Sequence, residues 1–216
     1  MPFGQVIIGP PGSGKSTYCN GLQQFHTALS RPIIIVNLDP AALFPSYPHS
    51  LSITDLITLD EVMQSHKLGP NGAILFCLQY LELNFQWLLD RLEEILVQGG
   101  WIGEKREQAF IVFDTPGQVE LSTDHGSLKR IIQRLAKEGG WRLAAVHLMD
   151  ANHILDPTKY IAILLLSLRT MLQLELPHIN VLSKIDLLQH SADELRTSSS
   201  TFYPSLCSHT LFRDVI

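Results

Sequence analysis

Residues 9–17 read GPPGSGKST, so that Gly9 is followed by four residues and then by Gly14, Lys15 and Ser16. Glycines at 12 and 14 let backbone N–H groups close around phosphate oxygens with no Cβ in the way. A helix that begins directly after such a loop turns its positive end toward the same anion. Lys15 is then expected to reach the β- and γ-phosphates, and the Ser16 hydroxyl to ligate Mg²⁺. Ser13 and Thr17 complete the nucleotide-binding candidates of this segment. The chemistry indicated is the binding of a nucleoside triphosphate.

Two further motifs fit that chemistry. Asp114-Thr115-Pro116-Gly117 has the form DxxG, in which the acid holds Mg²⁺ through water and the glycine N–H senses the γ-phosphate. Four such residues recur by chance, and their weight comes from following an apolar strand about a hundred residues beyond the first loop. Ser183-Lys184-Ile185-Asp186 is a variant of NKxD with serine in the asparagine position. The Asp186 carboxylate can accept hydrogen bonds from guanine N1–H and the 2-amino group, which adenine does not offer, while the Lys184 stem lies along the base. The same four residues also read as a plain surface turn after a strand. Asp39 follows a β-branched run and is placed either to position Mg²⁺ or the attacking water, or simply to cap its loop. Gln118, next to the switch glycine, stands where a water-orienting glutamine acts; Glu120 is a weaker candidate.

These motifs need a scaffold that brings them to one edge. Strand patterns at Phe3–Ile8, Pro32–Asn37, Ala109–Phe113, Leu143–Leu148 and Pro177–Leu182 alternate with helical stretches at Lys15 to about Ser30, about Asp124 to Lys137 and Pro157 to about Glu175. Short helices are expected over Ser52–Ile57 and Leu59–His66, and a long amphipathic one from about Ala73 to Val97. Pro45 and Pro48 make 41–50 a loop. The apolar run Tyr160–Leu168 reads as a buried helix packed on the sheet. Alternating elements of this kind give an α/β fold, a three-layer P-loop NTPase with a mostly parallel sheet flanked by helices. Each motif then falls at the carboxyl end of a strand, where open α/β sheets place their ligands.

The chain has 216 residues, 45% hydrophobic and 17% charged, enough for one α/β domain with a large core and unlike a disordered protein. A net charge of −5 argues against direct nucleic-acid binding. The three cysteines form no CxxC pair and the nine histidines no metal-ligand spacing. No apolar run approaches the roughly 20 residues of a membrane span, and the N-terminus runs straight into a strand, so a cytoplasmic location with no membrane association is expected.

With Gly69-Pro70-Asn71 lying between the second strand and DxxG, the chain resembles the GPN-loop GTPases over about residues 3 to 188, through FGQVIIGPPGSGKSTYC, NLDPA, LGPNG, DTPGQVEL and LPHINVLSKIDL. The resemblance implies a Mg²⁺-dependent GTPase with GTP as substrate. It implies a homodimer, or a heterodimer with related GPN-loop GTPases, in which the Gly69-Pro70-Asn71 loop reaches the partner's γ-phosphate, with Asn71 and Gln118 acting on the nucleophile. It further implies a role in assembly or nuclear delivery of RNA polymerase complexes, with polymerase subunits as partners and shuttling to the nucleus. Pro10 and Pro11 stand where related nucleotide-dependent dimers carry an extra lysine. The family pattern continues past Asp186 with another strand, a base-contacting loop and helices; from about His190 this sequence departs from it. A GTPase domain over 1–190 and an irregular tail over 191–216 are therefore expected. Two other readings stand beside a GTPase. One is a nonhydrolysing nucleotide-binding interaction module. The other is a P-loop small-molecule kinase, against which the Asp186 motif and the lack of an Arg-rich lid weigh.

Overall fold

A computed structural model describes residues 2–117 and 126–187. Its strands are β1 (Phe3–Ile8), β2 (Ile33–Asn37), β3 (Leu51–Ser52), β4 (Phe110–Asp114), β5 (Arg142–Asp150) and β6 (His178–Ser183). Among the described residues they form a six-stranded parallel sheet in the order β3-β2-β4-β1-β5-β6. The helices are α1 (Lys15–Ala28), α2 (Leu59–His66), α3 (Pro70–Leu83), α4 (Phe85–Gln98), α5 (Ser127–Lys137) and α6 (Pro157–Leu174). Parallel strands need long crossovers, and helices supply them here.

The central strands are apolar on both sides, as burial between two helical layers requires. Val6, Ile8, Ile34, Val36, Ile111 and Phe113 face one layer, where Cys77, Leu81, Phe85, Leu88 and Ile131 meet them. Ile7, Ile35, Val112, Val146 and Leu148 face the other, against Cys19 of α1 and Tyr47. β1 pairs with β4 so that Ile7 lies beside Asp114, and with β5 so that Ile8 lies beside His147. The carboxyl ends of β1, β4 and β2 therefore share one edge of the sheet.

Several local expectations are corrected. Residues 51–55 form the short strand β3 and a 3₁₀ helix over Ile53–Asp55, capped by Ser52 and Asp55, so the short helix expected over Ser52–Ile57 is confined to its middle. The single long helix over 73–97 is two helices broken at Asn84, whose N–H and Nδ2 both bond the Tyr80 carbonyl. Gly69 is the N-cap of α3 and Pro70 its first residue, so Gly-Pro-Asn opens a helix instead of preceding one. The run Tyr160–Leu168 is helical within α6, but most of its large apolar side chains are exposed rather than buried. The start of the helix expected at Asp124 lies outside the described residues, as do Gln118, Glu120 and the 191–216 tail. Among the described residues no helix is long and apolar enough to cross a membrane.

Candidate functional site

The loop between β1 and α1 is shaped by three glycines with positive φ: Gly9 at 151°, Gly12 at 74° and Gly14 at 91°. At Gly9 a Cβ would lie 2.5 Å from the Leu148 carbonyl oxygen, so glycine is required by space as well as by torsion. Gly14 is the N-cap of α1; no side chain caps this helix end and no acid lies in its first turn. The helix start is thus left for an external anion. Ser13 is buried, its hydroxyl unpartnered among the described residues, Ser16 is half-buried and Thr17 exposed.

Lys15 folds back into the loop, its Nζ donating to the carbonyls of Gly9 at 3.1 Å and Pro10 at 3.2 Å. Burial lowers its pKa, opposed by the negative charges of Asp114 and Asp39. Both acids are therefore close enough to the lysine to act on it. Gly117 lies against the same group: a Cβ there would meet Lys15 Nζ at 2.9 Å and Pro11 Cα at 3.0 Å. The Thr115 hydroxyl donates to the Ile7 carbonyl at 2.7 Å and fastens the DxxG turn to β1.

Asp114 is buried, and burial pushes its carboxyl up to about 6. Its Oδ2 accepts from the Tyr47 hydroxyl at 2.6 Å, while Oδ1 has no partner among the described residues. A buried carboxylate oxygen without a partner among the described residues suits a hard cation, as does the Ser16 hydroxyl in the first turn of α1. Among the described residues no group of three His, Cys, Asp or Glu could hold a metal by itself. That is the usual situation for Mg²⁺, which takes one or two protein ligands and completes its shell with water and phosphate. Asp39 ends the β2 loop with its own pKa raised by burial, and its Oδ1 accepts from the Ala41 N–H at 2.9 Å.

At the end of β6 the Ser183 hydroxyl donates to the Ser13 carbonyl at 2.7 Å, tying this strand to the phosphate-binding loop. Lys184 has a left-handed backbone, φ 60°, and its Nζ donates to Asp150 Oδ2 at 2.9 Å. Asp186 is exposed, just beyond. Gly69, Pro70 and Asn71 lie exposed at the start of α3 and, within one chain, are not part of this cluster.

Sequence reasoning missed Tyr47 and Asn37. Asn37 is fully buried, its Nδ2 donating to the carbonyls of Asp39 and Ala42 and to Ser52 Oγ, so it shapes the loop that carries Asp39. A polar residue closing a run of isoleucine and valine was the available signal for Asn37. Nothing in the Pro-rich loop singled out Tyr47.

A family model described as conserved hypothetical ATP binding protein matches residues 7–206. The chain is similar to GPN-loop GTPase 2 of Danio rerio, 49% identical over 189 residues, which cover 88% of this chain and 57% of the relative. It is also similar to GPN-loop GTPase QQT1 of Arabidopsis thaliana, 50% identical over 188 residues, covering 87% and 60%. The chain thus spans less than two thirds of the length of these relatives. The solved structure of PAB0955, a GTPase in apo form from Pyrococcus abyssi, matches with a TM-score of 0.71 and 26% identity, covering 90% of this chain and 72% of that one.

Proposed function

Because the chain belongs to the GPN-loop GTPases, whose matching family model bears the ATP-binding description, we propose that it binds GTP and hydrolyses it to GDP and phosphate. The observation that carries this reading is the convergence of Lys15, Asp114, Asp39 and Gly117 on one glycine-shaped loop at an uncapped helix start. The names of the relatives and of the solved structure support GTP as the nucleotide.

The chain's own groups divide the work. The N–H groups of residues 12–17 hold the phosphates, and Lys15 exchanges the Gly9 and Pro10 carbonyls for phosphate oxygens. Ser16, Asp114 and Asp39 are the side chains that would hold Mg²⁺, which when bound neutralises charge on the β- and γ-phosphates. The Gly117 N–H reads the γ-phosphate. Asp39 and Gln118 orient the attacking water, and displacement proceeds in line. Lys184 and Asp186 take the guanine base, with Ser183 keeping that segment against the loop. On the family resemblance alone we extend the proposal to a dimer in which Asn71 reaches the partner's phosphate, and to assembly or nuclear delivery of RNA polymerase complexes.

Calorimetric titration with GTP and with ATP, in Mg²⁺, tests the reading. GTP is expected to bind more tightly than ATP, and Lys15→Ala to abolish binding of either. Equal affinities would overturn the guanine assignment, and undiminished binding by Lys15→Ala would overturn the site. Single-turnover release of phosphate tests hydrolysis; binding without release would identify a nonhydrolysing module.

A further inference from the structure

Asp150 is the last residue of β5 and lies beside Ser183 of β6 in the sheet register. Both of its carboxylate oxygens are engaged. Oδ1 accepts from the Asn152 N–H at 2.9 Å, and Oδ2 accepts from Lys184 Nζ at 2.9 Å. One oxygen thus fixes the carboxylate to its own loop, and the other is presented to the lysine. The lysine backbone is fixed as well. Its φ of 60° is uncommon for a residue with a side chain, and such torsions collect at functional sites. Just before it, the Ser183 hydroxyl donates to the Ser13 carbonyl at 2.7 Å and stands 3.1 Å from the Met149 carbonyl. A Cβ at Gly14 would lie 3.8 Å from Ser183 Cβ. The segment that carries Lys184 is therefore held between the end of β5 and the first turn of α1.

The Lys184 and Asp150 side chains are 35% and 19% exposed, and partly exposed ion pairs contribute little to stability. The consequence of this pair is geometric. A lysine stem has four carbons and wide rotamer freedom, which anchoring at both ends removes. We infer that Asp150 is a positioning residue for the nucleobase: by holding the Lys184 ammonium it sets the lysine stem as a preformed apolar edge for a guanine ring. This rests on the reading that Lys184 and Asp186 take the base. Ordering the stem beforehand removes an entropic cost that each binding event would otherwise carry. The pair has a second effect. Asp186 stands two residues beyond Lys184, and its carboxylate is the group that reads guanine. An ammonium held at Asp150 does not compete with the base for that carboxylate.

Asp150→Asn keeps the size of the side chain and an oxygen for the Asn152 N–H, and removes the charge that holds Lys184. Calorimetric titration in Mg²⁺ is expected to show GTP binding weakened about tenfold. Inorganic tripolyphosphate, which offers phosphates and no base, should compete with GTP as well as it does in the parent. In a Lys184→Ala background the same substitution should have no further effect, because the group it acts through is gone. Melting temperatures of the ligand-free variants should match their parents.

Unchanged GTP affinity in Asp150→Asn overturns the inference and leaves the base assignment standing. So does an equal loss for GTP and tripolyphosphate, which would mean a general distortion of this sheet edge, or a loss that persists undiminished in the Lys184→Ala background. A wild-type chain that binds GTP no better than tripolyphosphate overturns the base assignment itself, and the role of Asp150 with it.

Discussion

Asp114 holds a charge where burial disfavours one. Its carboxyl moves from 3.8 to about 6, desolvation outweighing the Tyr47 hydrogen bond and the Lys15 charge that pull the other way. Between those two values the folded chain keeps a proton that the unfolded chain has lost. Stability therefore falls as pH rises through this window, and the full penalty, about 3 kcal/mol by linkage, is present above about pH 6. Asp114→Asn is expected to raise the melting temperature of the ligand-free chain at about pH 8 and to leave it nearly unchanged at about pH 4. The same substitution should weaken Mg²⁺-dependent nucleotide binding. Melts at the two pH values check this, and an equal shift at both would mean that desolvation of this acid is not the cause. The residues of the first loop were legible because their chemistry is local: glycines, a lysine and a serine adjacent in sequence. The Tyr47–Asp114 bond joins residues 67 positions apart, and no spacing rule announces it.

Among the elements, the α3–α4 pair separates what propensity fixes from what packing fixes. Both halves are helix-forming, and a single sequence gives little reason to break them at Asn84. The break turns Phe85, Leu88, Leu92 and Leu96 of α4 into the core, where Arg134 of α5 stacks 4.1 Å from the Phe85 ring. Asparagine is well suited to such an end because its side chain bonds the turn behind it. At the other end of α3, proline in the first helical position fixes the backbone that presents Asn71 to solvent. Asn71 is exposed at the start of α3, so the melting temperature of Asn71→Ala should match that of the parent. Its GTP affinity should also be unchanged, while phosphate release should slow if the side chain acts across a dimer. Equal turnover by the two proteins would remove that role.

For the whole molecule, order is expected to decline across the sheet from its centre to β6. β1 lies between β4 and β5 and is buried along most of its length, whereas Ile179 of β6 is exposed on the strand beyond β5. Native-state hydrogen exchange should therefore show the slowest amides in β1 and β4 and faster ones in β6. Protection of β6 equal to that of β1 would contradict this.

The sequence by itself determined the alternation of strand and helix, the parallel sheet and the phosphate-binding loop. Each of these rests on residue type and short-range periodicity, which act through neighbouring backbone torsions and through burial of one face at a time. Tertiary structure alone decided which strands lie side by side, that Tyr47 bonds Asp114 and Ser183 bonds the Ser13 carbonyl, and which side of α6 faces inward. The apolar content of α6 was plain to read, and it pointed to a buried helix. Its buried side carries Ser167, Thr170 and Leu174, and the two hydroxyls find partners at Asn180 and at the Leu166 carbonyl, as polar groups sealed against a sheet must.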